Sequence, residues 1–252
     1  MKKCIWCLKN EENTTFNNLA HTIPKSLGGN YICINVCDFC NNHFGNRDGE
    51  FLNVEETFKE MFNITRQSMR FVLNKLKSNN NRGRYKSKYF HFPNESCFKL
   101  KASYRNNFYF QKRLLYALKR GIYKVFLEEF ERQYGDSANE RFDFVRRMAR
   151  YKLGDYPLYY FQRKHGIIMM IENEVDCPYV VFDKYNYYYN SETYFEFEFL
   201  GHLFGFPINE HYEIGIDIHL MKSLKMKEEF FTGYKIVKKV SDVDFLLTIM
   251  NK

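Results

Sequence analysis

The chain has 252 residues, of which 45% are hydrophobic and 19% aromatic, which is enough for a sizeable core and argues against intrinsic disorder. Its net charge of +8 favours a polyanionic partner such as a nucleic acid. No apolar run is long enough to span a bilayer and no apolar signal region follows the N-terminal lysines, so we expect a cytoplasmic protein.

The first fifty residues are expected to bind a structural metal ion. Two Cys-x-x-Cys pairs, Cys4/Cys7 and Cys37/Cys40, supply the four thiolates of a tetrahedral zinc site that has no open position. So small a unit needs a metal because its own core is small. The alternatives are incidental buried cysteines or a redox pair. Three further cysteines are expected only to pack: Cys33, Cys97 and Cys177.

Between the two cysteine pairs the sequence predicts a β-hairpin followed by a helix. A strand over 19–23 is ended by Pro24, and Gly28 with Gly29 turns the chain into a second strand over 31–36. A helix should then run from residue 37 to about residue 45, where Gly45 and the polar residues after it stop it.

The middle of the chain, 51–154, is predicted to be helical and basic. It carries 23 Lys and Arg against 10 Asp and Glu, with helices expected over 51–77, 108–134 and 142–153, a polar loop over 78–88 and a strand pair within 90–104. Solvated helix faces and a phosphate-binding surface both explain this charge. The nucleic-acid-binding candidates are Lys25, Arg82, Arg84, Lys86, Lys88, Lys112, Arg113, Lys119, Arg120, Arg146, Arg147 and Arg150.

The last region, 155–252, changes to a strand pattern and carries 10 basic against 15 acidic residues. Strands are expected over 167–171, 179–182, 194–200 and, most clearly, 211–220, where apolar and polar residues alternate. This gives an α+β fold with three parts: a zinc-binding hairpin–helix module at 1–50, a basic helical part at 51–154 and an aromatic β-rich recognition or oligomerisation part at 155–252. Four residues share the polar face of the last strand, either as a solvated surface or as an acid-base site: His211, Glu213, Asp217 and His219.

The hairpin carries residues suited to phosphodiester hydrolysis, which needs a base for water and a cation for the charge on phosphorus. His21 lies at the end of the first predicted strand and is the candidate base. The residues that follow Cys40 should lie near it, at the start of the predicted helix. Of these, Asn41 offers a hard carbonyl oxygen for magnesium or manganese, with His43 as a second candidate ligand.

These residues resemble the HNH endonucleases of the zinc-bound ββα-metal type. The resemblance covers about residues 4–48: both cysteine pairs, His-Thr-Ile-Pro-Lys-Ser-Leu-Gly-Gly at 21–29 and Asn-Val-Cys-Asp-Phe-Cys-Asn-Asn at 35–42. It implies DNA cleavage that leaves 5′-phosphate and 3′-hydroxyl ends, with His21 as general base and Asn41 as metal ligand. It also implies that Asn35, or less well Asn30, completes the catalytic unit by bracing the loop. Restriction or phage defence is a role typical of such enzymes.

One position departs from the family pattern. The residue before the base is most often an acidic metal ligand in this family, but here it is Ala20, whose methyl group cannot bind a cation. The alternative function is therefore a zinc-bound module that binds nucleic acid with weak or no catalysis. RNA as the substrate, assembly as a homodimer and an alanine introduced in place of a native ligand all stay open.

Overall fold

The N-terminal hairpin and helix form as the sequence predicts. The computed structural model describes residues 2–47, 49–76, 86–94, 97–164, 171–182, 193–208 and 211–247. Strands β1 (Ala20–His21) and β2 (Ile32–Cys33) pair antiparallel, and α1 follows at Asp38–Gly45. Gly28 has φ 96° in the turn, and a Cβ on Gly29 would lie 2.1 Å from the carbonyl oxygen of Ile23, so this turn requires both glycines.

The middle of the chain contains two long helices that pack on each other, α2 (Val54–Leu76) and α4 (Phe108–Tyr134). A strand pair, β3 (Phe90–Asn94) and β4 (Cys97–Leu100), and a short helix, α3 (Ala102–Arg105), connect them. Asn107 caps α4 by accepting from the amide of Phe110 at 2.8 Å. From 117 to 130 every residue of α4 is buried, so this helix runs through the centre of the fold.

Helix α5 (Asp143–Ala149) is shorter than the basic helix that the sequence predicts over 142–153, and a 3-10 turn precedes it. An antiparallel sheet follows, as expected, in the order β6-β7-β8-β5-β9. Its strands are β5 (Tyr159–Arg163), β6 (Val180–Phe182), β7 (Tyr194–Phe199), β8 (His202–Pro207) and β9 (Phe231–Ile236). Helix α6 (Ile171–Asp176) lies between β5 and β6 in the chain. The predicted strand over 167–171 lies mostly outside the described residues.

The strand predicted over 211–220 is wrong: α7 (Ile216–Met226) begins there, after a turn. Apolar alternation from 212 to 220 fits a strand locally, but the helix buries Ile216 and Leu220, which are four residues apart, and leaves Ile218 exposed. Glu196 of β7 provides the long-range reason. Its buried carboxylate accepts from His219 at 3.1 Å, from Ser223 at 2.8 Å and from Lys227 at 2.6 Å, and this four-residue spacing is that of one face of α7 and its C-cap.

One hydrophobic cluster of buried residues extends from Cys4 to Leu247 and includes both sides of each predicted boundary. Phe62 of α2 illustrates this packing, since its ring contacts Phe199, Phe204 and Phe245 from the C-terminal part. The division at residues 50 and 154 therefore remains a prediction. Among the described residues, no helix has the length and apolar composition to cross a bilayer.

A buried histidine within this core should make the stability of the fold depend on pH. His202 contacts the hydroxyl of Thr65 through Nε2 at 2.7 Å, and that hydroxyl donates to the carbonyl of Phe245. The hydroxyl therefore accepts from Nε2–H, which places a proton on that ring nitrogen. Burial, together with the charge of Arg163, lowers the pKa of His202 from 6.5 to about 3.

We expect the contribution of His202 to be present above pH 6.5 and to be lost as the pH falls toward 3, because only the unfolded chain takes up the proton. The loss should reach about 2 kcal/mol at pH 5. Urea unfolding at pH 7 and pH 5 measures it, and His202→Gln should show a smaller loss than the natural chain. Replacing the exposed His211 by glutamine is the matched control. Equal pH dependence in all three proteins would contradict this assignment.

Candidate functional site

The four cysteines of the two pairs come together as a cluster. The sulfur atoms of Cys4, Cys7, Cys37 and Cys40 all lie within 4.8 Å of one another. The Sγ atoms of Cys7 and Cys37 are 3.7 Å apart, which agrees with the spacing of about 3.8 Å that Zn–S bonds of about 2.3 Å give in a tetrahedron. The geometry of the cluster is therefore compatible with zinc.

Hydrogen-bond donors surround these sulfur atoms, as thiolates require. The amide of Cys37 donates to Sγ of Cys4 at 3.4 Å, and Nε of Arg150 donates to Sγ of Cys40 at 3.3 Å. A hydrogen bond from Cys40 lowers the pKa of Cys4 to about 5, while burial raises that of Cys7 to about 11. Cys4 thus ionises readily beside Cys7, which holds its proton, and a divalent cation would supply the charge that favours thiolates throughout the cluster.

His21 lies beside this cluster on β1, half-buried, and its Nδ1 is buried without a hydrogen-bond partner among the described residues. A buried nitrogen left unpaired costs about 1–3 kcal/mol, so such an atom favours a ligand that completes it. The preceding residue, Ala20, is 1% exposed and its methyl group packs in the core. The carboxylate that the family pattern places at this position is therefore replaced by apolar packing.

The central helix α4 supports the hairpin through buried polar contacts. Lys124 donates to the backbone carbonyl of His21 at 3.0 Å and to Glu128 at 2.8 Å. Glu128 also accepts from the indole nitrogen of Trp6, between the first two cysteines, at 3.1 Å. Burial raises the pKa of Glu128 to about 7, while Glu128 and Glu55 raise that of Lys124 against the effect of burial. The Lys124–Glu128 ion pair thus links the backbone of His21 to Trp6, which lies between Cys4 and Cys7.

Two further carboxylates of α4 hold the other parts of the hairpin. Glu129 accepts from the hydroxyl of Thr22, the residue after the candidate base. Glu131 accepts from the side-chain amide of Asn35 at 2.6 Å. Asn35, for which the sequence predicts a bracing role, is therefore tied to a helix almost a hundred residues later in the chain. Asn30 donates instead to the sulfur of Cys177 at 3.5 Å.

The candidate metal ligands on α1 have different surroundings. The amide nitrogen of Asn41 donates to the carbonyl of Leu19 at 3.5 Å, so the two ends of the hairpin-helix unit meet here and Oδ1 is directed elsewhere. His43 accepts at Nε2 from Arg120 at 3.0 Å, because a guanidinium only donates. That nitrogen is thus disfavoured as a metal ligand, whereas the amide oxygen of Asn41 suits a hard cation.

The predicted nucleic-acid-binding residues differ in how far they are exposed to solvent. Lys119, Arg120, Arg146 and Arg150 are buried and bind protein groups, so their burial disfavours contact with phosphate. Lys88 forms an ion pair with Glu56, and Arg113 lies over the ring of Tyr109. Arg82 and Arg84 lie outside the described residues. The exposed candidates are Lys25, Lys86, Lys112 and Arg147.

Sequence reasoning did not identify the carboxylates of α4 or Lys124 as part of this site. A signal was present, because charged residues interrupt an otherwise apolar helix at i, i+4 spacing, as Lys124 and Glu128 do. A fully buried helix with such a pair is expected to bind another polar segment. The sequence does not indicate which segment that is.

Comparison with known proteins gives one match. Residues 4–56 match the family described as HNH endonuclease, which covers the cysteine cluster, the hairpin, α1 and the start of α2. The match confirms the N-terminal resemblance and supports a nuclease-type function with nucleic acid as the substrate class. Searches of curated proteins and of solved structures each gave no match.

Proposed function

We propose that the protein is a DNA endonuclease that hydrolyses phosphodiester bonds, with His21 as the general base. The observation that carries this proposal is the unpartnered Nδ1 of His21, buried within the segment that matches the HNH endonucleases. In the tautomer that carries its proton on Nε2, Nδ1 has an unused lone pair, which is what a base needs to take a proton from the attacking water. Lys124 holds the backbone of the same residue, so the ring starts from a fixed position.

The proposed catalytic cation is magnesium or manganese, with Asn41 as its protein ligand. Magnesium keeps several waters and needs few protein oxygens when substrate phosphate contributes, so a site with one amide oxygen is sufficient. A bound cation would neutralise charge on the phosphate oxygens and the leaving oxygen. Zinc in the Cys4, Cys7, Cys37 and Cys40 cluster has a structural role, because four thiolates leave no position for substrate.

A second candidate function is supported by Ala20. With a buried methyl group where the family carries an acidic ligand, the module would bind nucleic acid through its exposed cations and cut it slowly or not at all. The two functions differ in one observable. An endonuclease nicks DNA when magnesium or manganese is added, whereas a binding module shows only salt-dependent affinity.

The deciding experiment incubates supercoiled plasmid with magnesium, manganese or chelator, using the natural chain beside Ala20→Asp. We expect metal-dependent nicking by the natural chain. Ala20→Asp should nick faster, because the added carboxylate supplies a second protein ligand for the metal beside Asn41. Zinc content and tryptophan emission report whether the variant folds. No nicking by either protein would overturn the endonuclease proposal, and nicking only by Ala20→Asp would assign the natural chain to the binding function.

A further inference from the structure

Arg66 of α2 lies against the turn of the hairpin, and a second arginine, Arg70, follows it on the same helix. Arg66 and Arg70 are four residues apart on this helix, one turn from each other. A Cβ on Gly28 would lie 2.9 Å from Nη2 of Arg66, so the guanidinium touches the backbone of the turn. Nε of Arg66 donates to the carbonyl of Val175 at 2.6 Å, which fixes the orientation of the planar group.

The positive charge of this pair is poorly compensated. Arg70 lies 3.8 Å from a carboxylate oxygen of Asp176, whose side chain is 72% exposed, and contacts of that kind are weak. Burial and the neighbouring charge of Arg70 lower the pKa of Arg66, and the smaller opposing effect of Asp176 does not cancel them. Among the described residues, Nε of Arg66 has a hydrogen-bond acceptor, and its two Nη atoms have none.

The other buried cations of the chain are used differently. Arg146 donates to carbonyl oxygens of Ser137 and Asn139 and pairs with Asp143. Lys124 is enclosed by Glu128, Glu55 and a carbonyl. These groups have their acceptors inside the protein. Arg66 and Arg70 are instead only half-buried, and Arg66 lies beside a glycine turn, an arrangement suited to an anion.

We propose that Arg66 and Arg70 bind the phosphate backbone of the substrate strand, a few nucleotides from the bond cleaved at His21. The inference rests on the proposed nuclease function. Seven residues separate His21 from Gly28, a reach of at most about 25 Å, and one strand of a duplex places a phosphate about every 3.4 Å along its axis. Both sites therefore lie within roughly seven nucleotides of one strand. Lys25, exposed on the same turn, extends the basic surface.

The test measures binding without cleavage. A short fluorescent duplex is titrated with protein in chelator over a range of salt concentrations, using the natural chain and Arg66→Gln/Arg70→Gln. We expect the slope of log K against log salt to become shallower by about 2, because two phosphate contacts are lost. The matched control is Arg141→Gln/Lys238→Gln, which removes the same charge from two exposed positions elsewhere.

An unchanged slope in the Arg66/Arg70 double variant, an equal change in the control, or a natural chain that does not bind DNA would overturn the inference. Arg70→Gln alone, a change at a partly exposed side chain, should reduce the slope by about 1 and guards against misfolding of the double variant. Metal-dependent nicking is scored separately. A protein that shows the expected slopes and no nicking would retain this site and lose only the proposed catalysis.

Discussion

Replacing His21 by alanine is expected to lower the rate of DNA nicking by about a hundredfold to ten-thousandfold, the range that a general base contributes. The substitution should leave the fold intact, because Lys124 binds the backbone carbonyl of this residue and not its ring. Single-turnover nicking of supercoiled plasmid measures the effect. Zinc content equal to that of the natural chain shows that the loss comes from the missing imidazole.

Another histidine serves as the control for this substitution. His91 is exposed on β3, and His91→Ala should nick plasmid at the natural rate. A His21→Ala protein that retains its zinc and cuts as fast as the natural chain would remove His21 from the mechanism. The proposed role of Asn41 would then lose its main support, because its cation is proposed to act on the phosphate that the water activated by His21 attacks.

Replacing Cys37 by serine is expected to abolish zinc binding and to unfold the N-terminal hairpin and α1. Structural zinc contributes about 10–16 kcal/mol in small thiolate sites, more than the net stability of most domains. Trp6 is the only tryptophan of the chain and is fully buried between Cys4 and Cys7, with its indole nitrogen bonded to Glu128. Its emission should shift to longer wavelength as the cluster is lost.

Cys33→Ser provides the matched control for the zinc experiment. Cys33 is buried on β2, and burial raises the pKa of its thiol, but it is not a member of the four-cysteine cluster. This variant should keep one zinc ion per chain and the emission of the natural protein. A Cys37→Ser protein with unchanged zinc content and unchanged emission would show that the cluster does not bind the metal.

The sequence correctly predicts the elements that are determined by interactions between residues close together in the chain. Paired cysteines, Pro24 and the two glycines of the turn act over a few residues, and the hairpin and α1 follow from them. The long helix α4 begins and ends where its cap residues, Asn107 and Gly135, predict. The four-cysteine cluster was also accessible to sequence reasoning, because the spacing of its members is part of a short motif, whereas the role of His21 stays a prediction.

The strand predicted over 211–220 is wrong because contacts with a distant charge override the local pattern. Helix α7 forms where alternation indicated a strand, since Glu196 of the sheet is satisfied by residues at helical spacing. The basic residues of α4 and α5 indicated a phosphate surface, yet Arg120 and Arg146 bind protein carbonyls in the core. A count of charges along a sequence does not distinguish a cation that faces solvent from one that holds two segments together.

The contacts between α4 and the hairpin have a consequence for transferring the N-terminal module, residues 4–56, to another scaffold. A fragment cut after residue 56 would contain every residue of the family match, including the four cysteines and His21. It would lack Lys124, Glu128 and Glu131, which bind the carbonyl of His21, Trp6 and Asn35. Those polar groups would then meet water or a foreign surface. The segment that has to be transferred is therefore discontinuous in sequence. It includes the second half of α4 as well as residues 4–56.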